Sequence, residues 1–122
     1  MKDWNVIRPV VEEILKQQKY TNSGNYYGEP CFLTPYQIAV LADKQDQSLK
    51  GNLPIGGAGH GDDANNNSFA QRIAWHLSKD VNENTFGGRL EIRFLSLKAV
   101  DSFVFNGTDT PSVSEVSMFR LI

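Results

Sequence analysis

Only one cysteine, Cys31, occurs in the sequence, which excludes an intrachain disulfide and a multi-cysteine metal site. It follows Pro30 in an apolar run with no base beside it, the setting of a small buried hydrophobe rather than of a nucleophile. Histidines number two, His60 and His76, and no EF-hand or H-E-x-x-H spacing occurs. No apolar run approaches the roughly 18 residues of a membrane span, and the opening Met1-Lys2-Asp3-Trp4 has no apolar signal segment. No membrane association and a cytoplasmic location are therefore expected. An excess of charge is missing too, since 12 Lys and Arg against 14 Asp and Glu leave a formal charge of -2. General affinity for nucleic acid or anionic lipid rests on surplus cations, so any polyanion site has to be a local patch. Internal repeats, low-complexity tracts and linkers are lacking as well.

What is present is ordinary globular composition, 40% hydrophobic and 21% charged over 122 residues. Residues 1–122 are read as a single domain that buries about two-thirds of its unfolded surface and folds without staples.

The most distinctive stretch is a polar, glycine-rich loop from Gly56 to Asn67 that feeds a helix from Ser68 to Lys79. Ser68 and Gln71 have the spacing of a capping box, which sets the helix start. Phe69, Ala70, Ile73, Ala74, Leu77 and Val81 share one arc of this helix and face a core. The opposite face carries Gln71, Arg72, Trp75, Ser78 and Lys79, an indole between two cations where a wet surface is expected.

Upstream, Trp4, Ile7, Val11, Ile14 and Leu15 recur at helical spacing. Pro9 suits a first-turn position, so the helix begins near Arg8 or is preceded by a short turn from Asp3. Residues 20–29 are turn formers, with Tyr20, Tyr26 and Tyr27 expected to cover the edge of the core or to line a groove. Cys31-Phe32-Leu33 reads as a brief strand. Thr34-Pro35-Tyr36-Gln37 is a second capping box with proline at the first helical position, opening a helix to about Leu49 that Gly51 and Pro54 terminate. After Lys79 the period changes: Leu90, Ile92 and Phe94 alternate with Arg89, Glu91 and Arg93, a half-buried strand. Leu95 and Leu97 break the alternation, which implies burial on both faces or a bulge. Residues 102–105 and 113–121 form further strands, with Asn106-Gly107 as a tight turn rather than a glycosylation site. The fold class is α+β, three helices followed by a small antiparallel sheet, with Ile14, Ile38, Leu41, Ile73, Leu77, Ile92 and Phe94 in one core.

Helix, short strand, helix, loop, helix and then strands is the order of elements that resembles a winged helix-turn-helix domain of the small bacterial kind. The resemblance implies that the helix from Ser68 to Lys79 lies in the recognition position and that the hairpin after it is the wing. It places Gln71, Arg72, Trp75 and Lys79 toward DNA, with Arg89, Arg93 and Lys98 on or near the wing. The connection from Lys50 to Asn67 is much longer than that family's usual tight turn.

The remaining motifs form no recognised catalytic arrangement. The glycine loop has no Gly-Lys-Ser or Gly-Lys-Thr, and Asp62-Asp63 would repel phosphate. His60, Asp62 and Asp63 supply oxygen and nitrogen donors without a recognised metal spacing. No catalytic residue, metal or cofactor is therefore assigned. The expected function is a non-enzymatic binding module for DNA or a protein partner, a homodimer joined through Trp75 included. The alternatives are a small-molecule or peptide binder using Tyr26, Tyr27 and Trp75, and a metal-assisted hydrolase at His60 and Asp62.

Overall fold

The computed structural model describes residues 1–56, 68–98, 104–105, 108–109 and 115–122. Three helices, α1 (Trp4–Gln17), α2 (Pro35–Gln45) and α3 (Phe69–Asn82), precede four strands: β1 (Leu90–Ser96), β2 (Val104–Phe105), β3 (Thr108–Asp109) and β4 (Glu115–Leu121). β1 and β4 pair antiparallel, and β2 pairs with β3 as a separate small hairpin. The chain is therefore α+β in the expected order. The glycine loop at residues 57–67, the expected strand residues 102–103 and 113–114 and the expected turn at 106–107 lie outside the described residues.

The start of α1 is set by Asp3, whose carboxylate accepts from the amide of Asn5 at 2.8 Å. Pro9 thus sits inside the helix, where its ring gives up one backbone bond. It is exposed, while the stripe Trp4, Ile7, Val11, Ile14 and Leu15 is buried. That burial is what outweighs the lost bond.

In α2 the capping box forms in full: Gln37 donates its amide to the Thr34 hydroxyl at 3.2 Å, and Thr34 donates its amide to the Gln37 side chain at 2.8 Å. The helix ends at Gln45, earlier than Leu49. The Asp46 carboxylate accepts from both the amide and the hydroxyl of Ser48, at 3.0 and 2.6 Å, and this local turn competes with another helical turn. The same two bonds hold the Asp46 carboxyl below its ordinary pKa. Leu49 is still buried, but as a turn residue, with its carbonyl accepting from the Lys2 amide at 2.9 Å.

Ser68 caps α3 through the Gln71 amide at 3.1 Å, the serine half of the anticipated box. The next two needs are met from elsewhere in the chain: Phe69 donates to the Pro54 carbonyl at 2.8 Å and Ala70 to that of Ile55 at 2.9 Å. This close approach explains Gly56, whose φ is +116°. A Cβ there would lie 2.9 Å from the Ser68 hydroxyl and 3.0 Å from the Ala70 methyl. Thr34→Ala and Ser68→Ala should each destabilise by about 1 kcal/mol in urea denaturation. A variant as stable as the parent would mean that its hydroxyl does not hold that helix start.

The sheet register is continuous from Leu90↔Leu121 through Ile92↔Phe119 and Phe94↔Ser117 to Ser96↔Glu115. Leu33 exchanges both backbone bonds with Phe119 at 2.8 Å, so the brief strand expected at residues 31–33 reduces to one bridge on the far edge of β4. On the inner face Leu90, Phe119 and Leu121 are buried and Ile92 packs partly buried against them. On the outer face Arg120 donates to Glu91 at 2.8 Å and lies 4.6 Å over the Phe32 ring.

Several placements differ from the sequence expectation. Phe94 belongs to the inner face by alternation yet is 65% exposed, because β1 runs on past the helices that cover Leu90 and Ile92. Leu41 only packs against the core from a half-buried position, whereas Ile14, Ile38, Ile73 and Leu77 are fully inside. No bulge interrupts β1: Leu95 pairs with Val116, an apolar pair on the outer face. Tyr20, Tyr26 and Tyr27 are all exposed and do not cover the core edge. Their loop is closed by backbone bonds between Tyr20 and the pair Gly28 and Glu29, each 2.8 Å, which leaves the rings outside. Cys31 is half-buried rather than fully enclosed.

Candidate functional site

α3 presents two faces, and both depart from a plain amphipathic helix. Gln71, Arg72, Trp75 and Lys79 are exposed and Ser78 half-buried, with Ile73 and Leu77 buried behind them. Trp75 is 61% exposed. The Lys79 ammonium stands 5.3 Å from the centre of the indole and 4.0 Å from a Glu83 carboxylate oxygen, a cation shared between a π face and an anion. The indole meets His76 edge-on, with ring centres 4.8 Å apart.

His76 in turn stacks on Trp4 of α1, at 4.7 Å and 7° between planes. The Trp4 indole N–H donates to Asp80 at 2.9 Å, and Arg8 grips the same carboxylate with two bonds, at 3.1 and 2.8 Å. Asp80 is 3% exposed, so α3 is tied to α1 by a buried, charge-assisted fork. The bond to Asp80 raises the Arg8 pKa and keeps the guanidinium charged. Burial lowers the His76 pKa, with Asp80 opposing in part, and the stacked ring is the neutral imidazole at neutral pH. Both Asp80 oxygens are occupied by donors. The carboxylate therefore ties the two helices together through three donated bonds.

Sequence reasoning missed this cluster. The signal was there, since Asp80 lies three residues after Leu77 and seven after Ile73 on the buried arc. A carboxylate on a core arc requires a cation or several donors, and Arg8 stands one turn after Trp4.

The cations on and beside β1 are separate from the α3 face. Arg93 shares the outer sheet face with Glu91 and bonds to it at 3.1 Å, and Arg89 lies 3.8 Å from Glu12 of α1. Lys98 is exposed just past β1. Tyr26 and Tyr27 are exposed on their own turn, and among the described residues the ring contacts of Trp75 are to His76 and Lys79, not to these tyrosines. The first amides of α3 are already committed to Pro54, Ile55 and Ser68, so they are not directed at an anion. His60, Asp62 and Asp63 lie outside the described residues. Among the described residues no group of three His, Cys, Asp or Glu is placed to hold a metal, and no helix is long and apolar enough to cross a membrane.

Comparison with protein families, with curated proteins and with solved structures finds no match. The functional reading therefore rests on the residues themselves.

Proposed function

We infer that this chain is a non-enzymatic binding module whose contact surface is the exposed face of α3, built from Gln71, Arg72, Trp75 and Lys79, and that duplex nucleic acid is its first candidate partner. The observation that carries the reading is Trp75, a largely exposed indole beside a lysine ammonium, on a helix whose other face is core. A single indole left in water is common enough. One flanked by Arg72, Lys79 and Gln71 offers stacking, phosphate contacts and an amide for a base edge on one helix face. The Leu33–Phe119 bridge supports the winged-helix-like reading, because it adds a strand position between the first two helices and next to the last strand.

A protein partner is the second reading. Lys79, Arg89 and Arg93 each have a carboxylate within 4.0 Å, which lowers the net field a polyanion would meet. Tryptophan and arginine are the residues that most often anchor protein interfaces.

Salt dependence separates the two. With mixed-sequence duplex, Arg72→Ala and Lys79→Ala should weaken binding and flatten the slope of log K against log salt by about one unit per lost phosphate contact. Trp75→Ala should lower affinity and leave the slope nearly unchanged, since an indole releases no counterion. Absence of binding to duplex even at about 50 mM salt would refute the nucleic-acid reading.

A further inference from the structure

Among the described residues β1 pairs with β4 alone, and no described strand lies on its other edge. The orientation of the backbone along that edge follows from the ladder. Ile122 donates to the Arg89 carbonyl at 2.8 Å, so Arg89, Glu91, Arg93 and Leu95 turn their amides and carbonyls toward β4, and Leu90, Ile92 and Phe94 turn theirs outward. The same alternation is seen across the sheet, where Phe119, opposite Ile92, gives both of its groups to Leu33. On the β1 side the Arg93 guanidinium folds back to the outward carbonyl of Ile92 at 2.7 Å. An edge that no described strand covers, with an exposed aromatic on it, is a template for strand addition once Arg93 releases the Ile92 carbonyl.

We propose that this edge seats a second copy of the chain, β1 pairing antiparallel with β1 across a two-fold axis at Ile92 to give a continuous four-stranded sheet. The choice of occupant comes from the sequence of the strand itself, Leu90-Glu91-Ile92-Arg93-Phe94, which is complementary to its own reverse. Centred on Ile92, each Glu91 faces the Arg93 of the other copy and each Phe94 faces a Leu90. The outward amide and carbonyl of Ile92 meet their symmetry mates as a closely spaced hydrogen-bonded pair. Other centres fail on named residues. Centring on Glu91 or on Arg93 sets like charges directly opposite, which is destabilising. Centring on Leu90 pairs Glu91 with Arg89 but carries Phe94 beyond the strand, and centring on Phe94 sets Ile92 against Ser96 and Glu91 against Leu97.

The arrangement also accounts for Phe94, a large side chain of the inner sheet face that lies in water among the described residues. Phe94, 65% exposed, gains a neighbour in Leu90 on the same face of the joined sheet. Glu91 exchanges its bond at 3.1 Å from the adjacent Arg93 for one from the other copy and keeps Arg120 at 2.8 Å. No carboxylate is stranded by the exchange. The surface is distinct from the α3 face, so self-association here neither requires nor excludes the binding reading above.

The test is sedimentation of the full chain without DNA, with amide hydrogen exchange followed by NMR at several protein concentrations. A dimer is expected, with the outward amides of Ile92 and Phe94 exchanging more slowly as concentration rises. Arg93→Glu sets a carboxylate against Glu91 twice in each dimer and should raise the dissociation constant about tenfold or more. Phe94→Pro removes an amide that β4 does not use and should abolish dimerisation while the β1–β4 ladder persists. Should the proline variant fail to fold, Arg93→Glu and the exchange data decide alone. A chain that stays monomeric with concentration-independent exchange at Phe94 overturns the proposal, and so does a dimer that Arg93→Glu leaves as tight as before.

Discussion

Arg8→Ala should cost the fold about 3 to 5 kcal/mol, because it leaves Asp80 as a buried carboxylate without its cation. The indole N–H of Trp4 would then be the one described side-chain donor left to a group that is 3% exposed. Asp80→Ala should be milder, about 1 to 3 kcal/mol: it leaves the Trp4 N–H without an acceptor, but the Arg8 side chain, 28% exposed, can turn toward water. The double variant should therefore lose less than the sum of the two, and the coupling read from a double-mutant cycle in urea measures the fork directly. A loss below about 1 kcal/mol for Arg8→Ala would show that the fork is not what joins α1 to α3.

The second large effect belongs to Phe119. Its side chain is wholly buried, it stands opposite Ile92, and its backbone carries the bridge to Leu33. Phe119→Ala removes a ring between the helical layer and the sheet and should cost about 3 to 5 kcal/mol through transfer and cavity terms. The backbone bridge to Leu33 is untouched by the substitution, so the loss reports packing. Thermal unfolding indistinguishable from the parent would place the core somewhere other than against this sheet.

Features governed by local chemistry were legible in the sequence. Thr34 and Ser68 mark helix starts because a hydroxyl and an amide three residues on suffice to make the cap. The buried stripes of α1 and α3 follow from spacing, and the exposed Gln71, Arg72, Trp75 and Lys79 are the complement of one such stripe. Features decided between elements were not legible. Alternation assigns Phe94 to a face of β1, but whether that face is covered depends on how far the helices reach along the strand. Spacing puts Asp80 on the buried arc of α3, but the donors that satisfy it there, Arg8 and Trp4, come from α1 and are set by how the two helices pack. The end of α2 shows a third kind of miss: Leu49 keeps a core position that its apolar character announces, while Asp46 and Ser48 take the backbone out of the helix before it.

The central claim is that the exposed face of α3 makes the partner contact, and an amide-resolved NMR titration with mixed-sequence duplex at low salt tests it most directly. The two tryptophans give separate indole signals, one bonded to Asp80 and one in water. Binding through α3 predicts shifts at Gln71, Arg72, Lys79 and the Trp75 indole N–H, with the Trp4 indole nearly still. Shifts concentrated at Tyr26 and Tyr27, or no shift anywhere on α3 while the duplex binds, would contradict it.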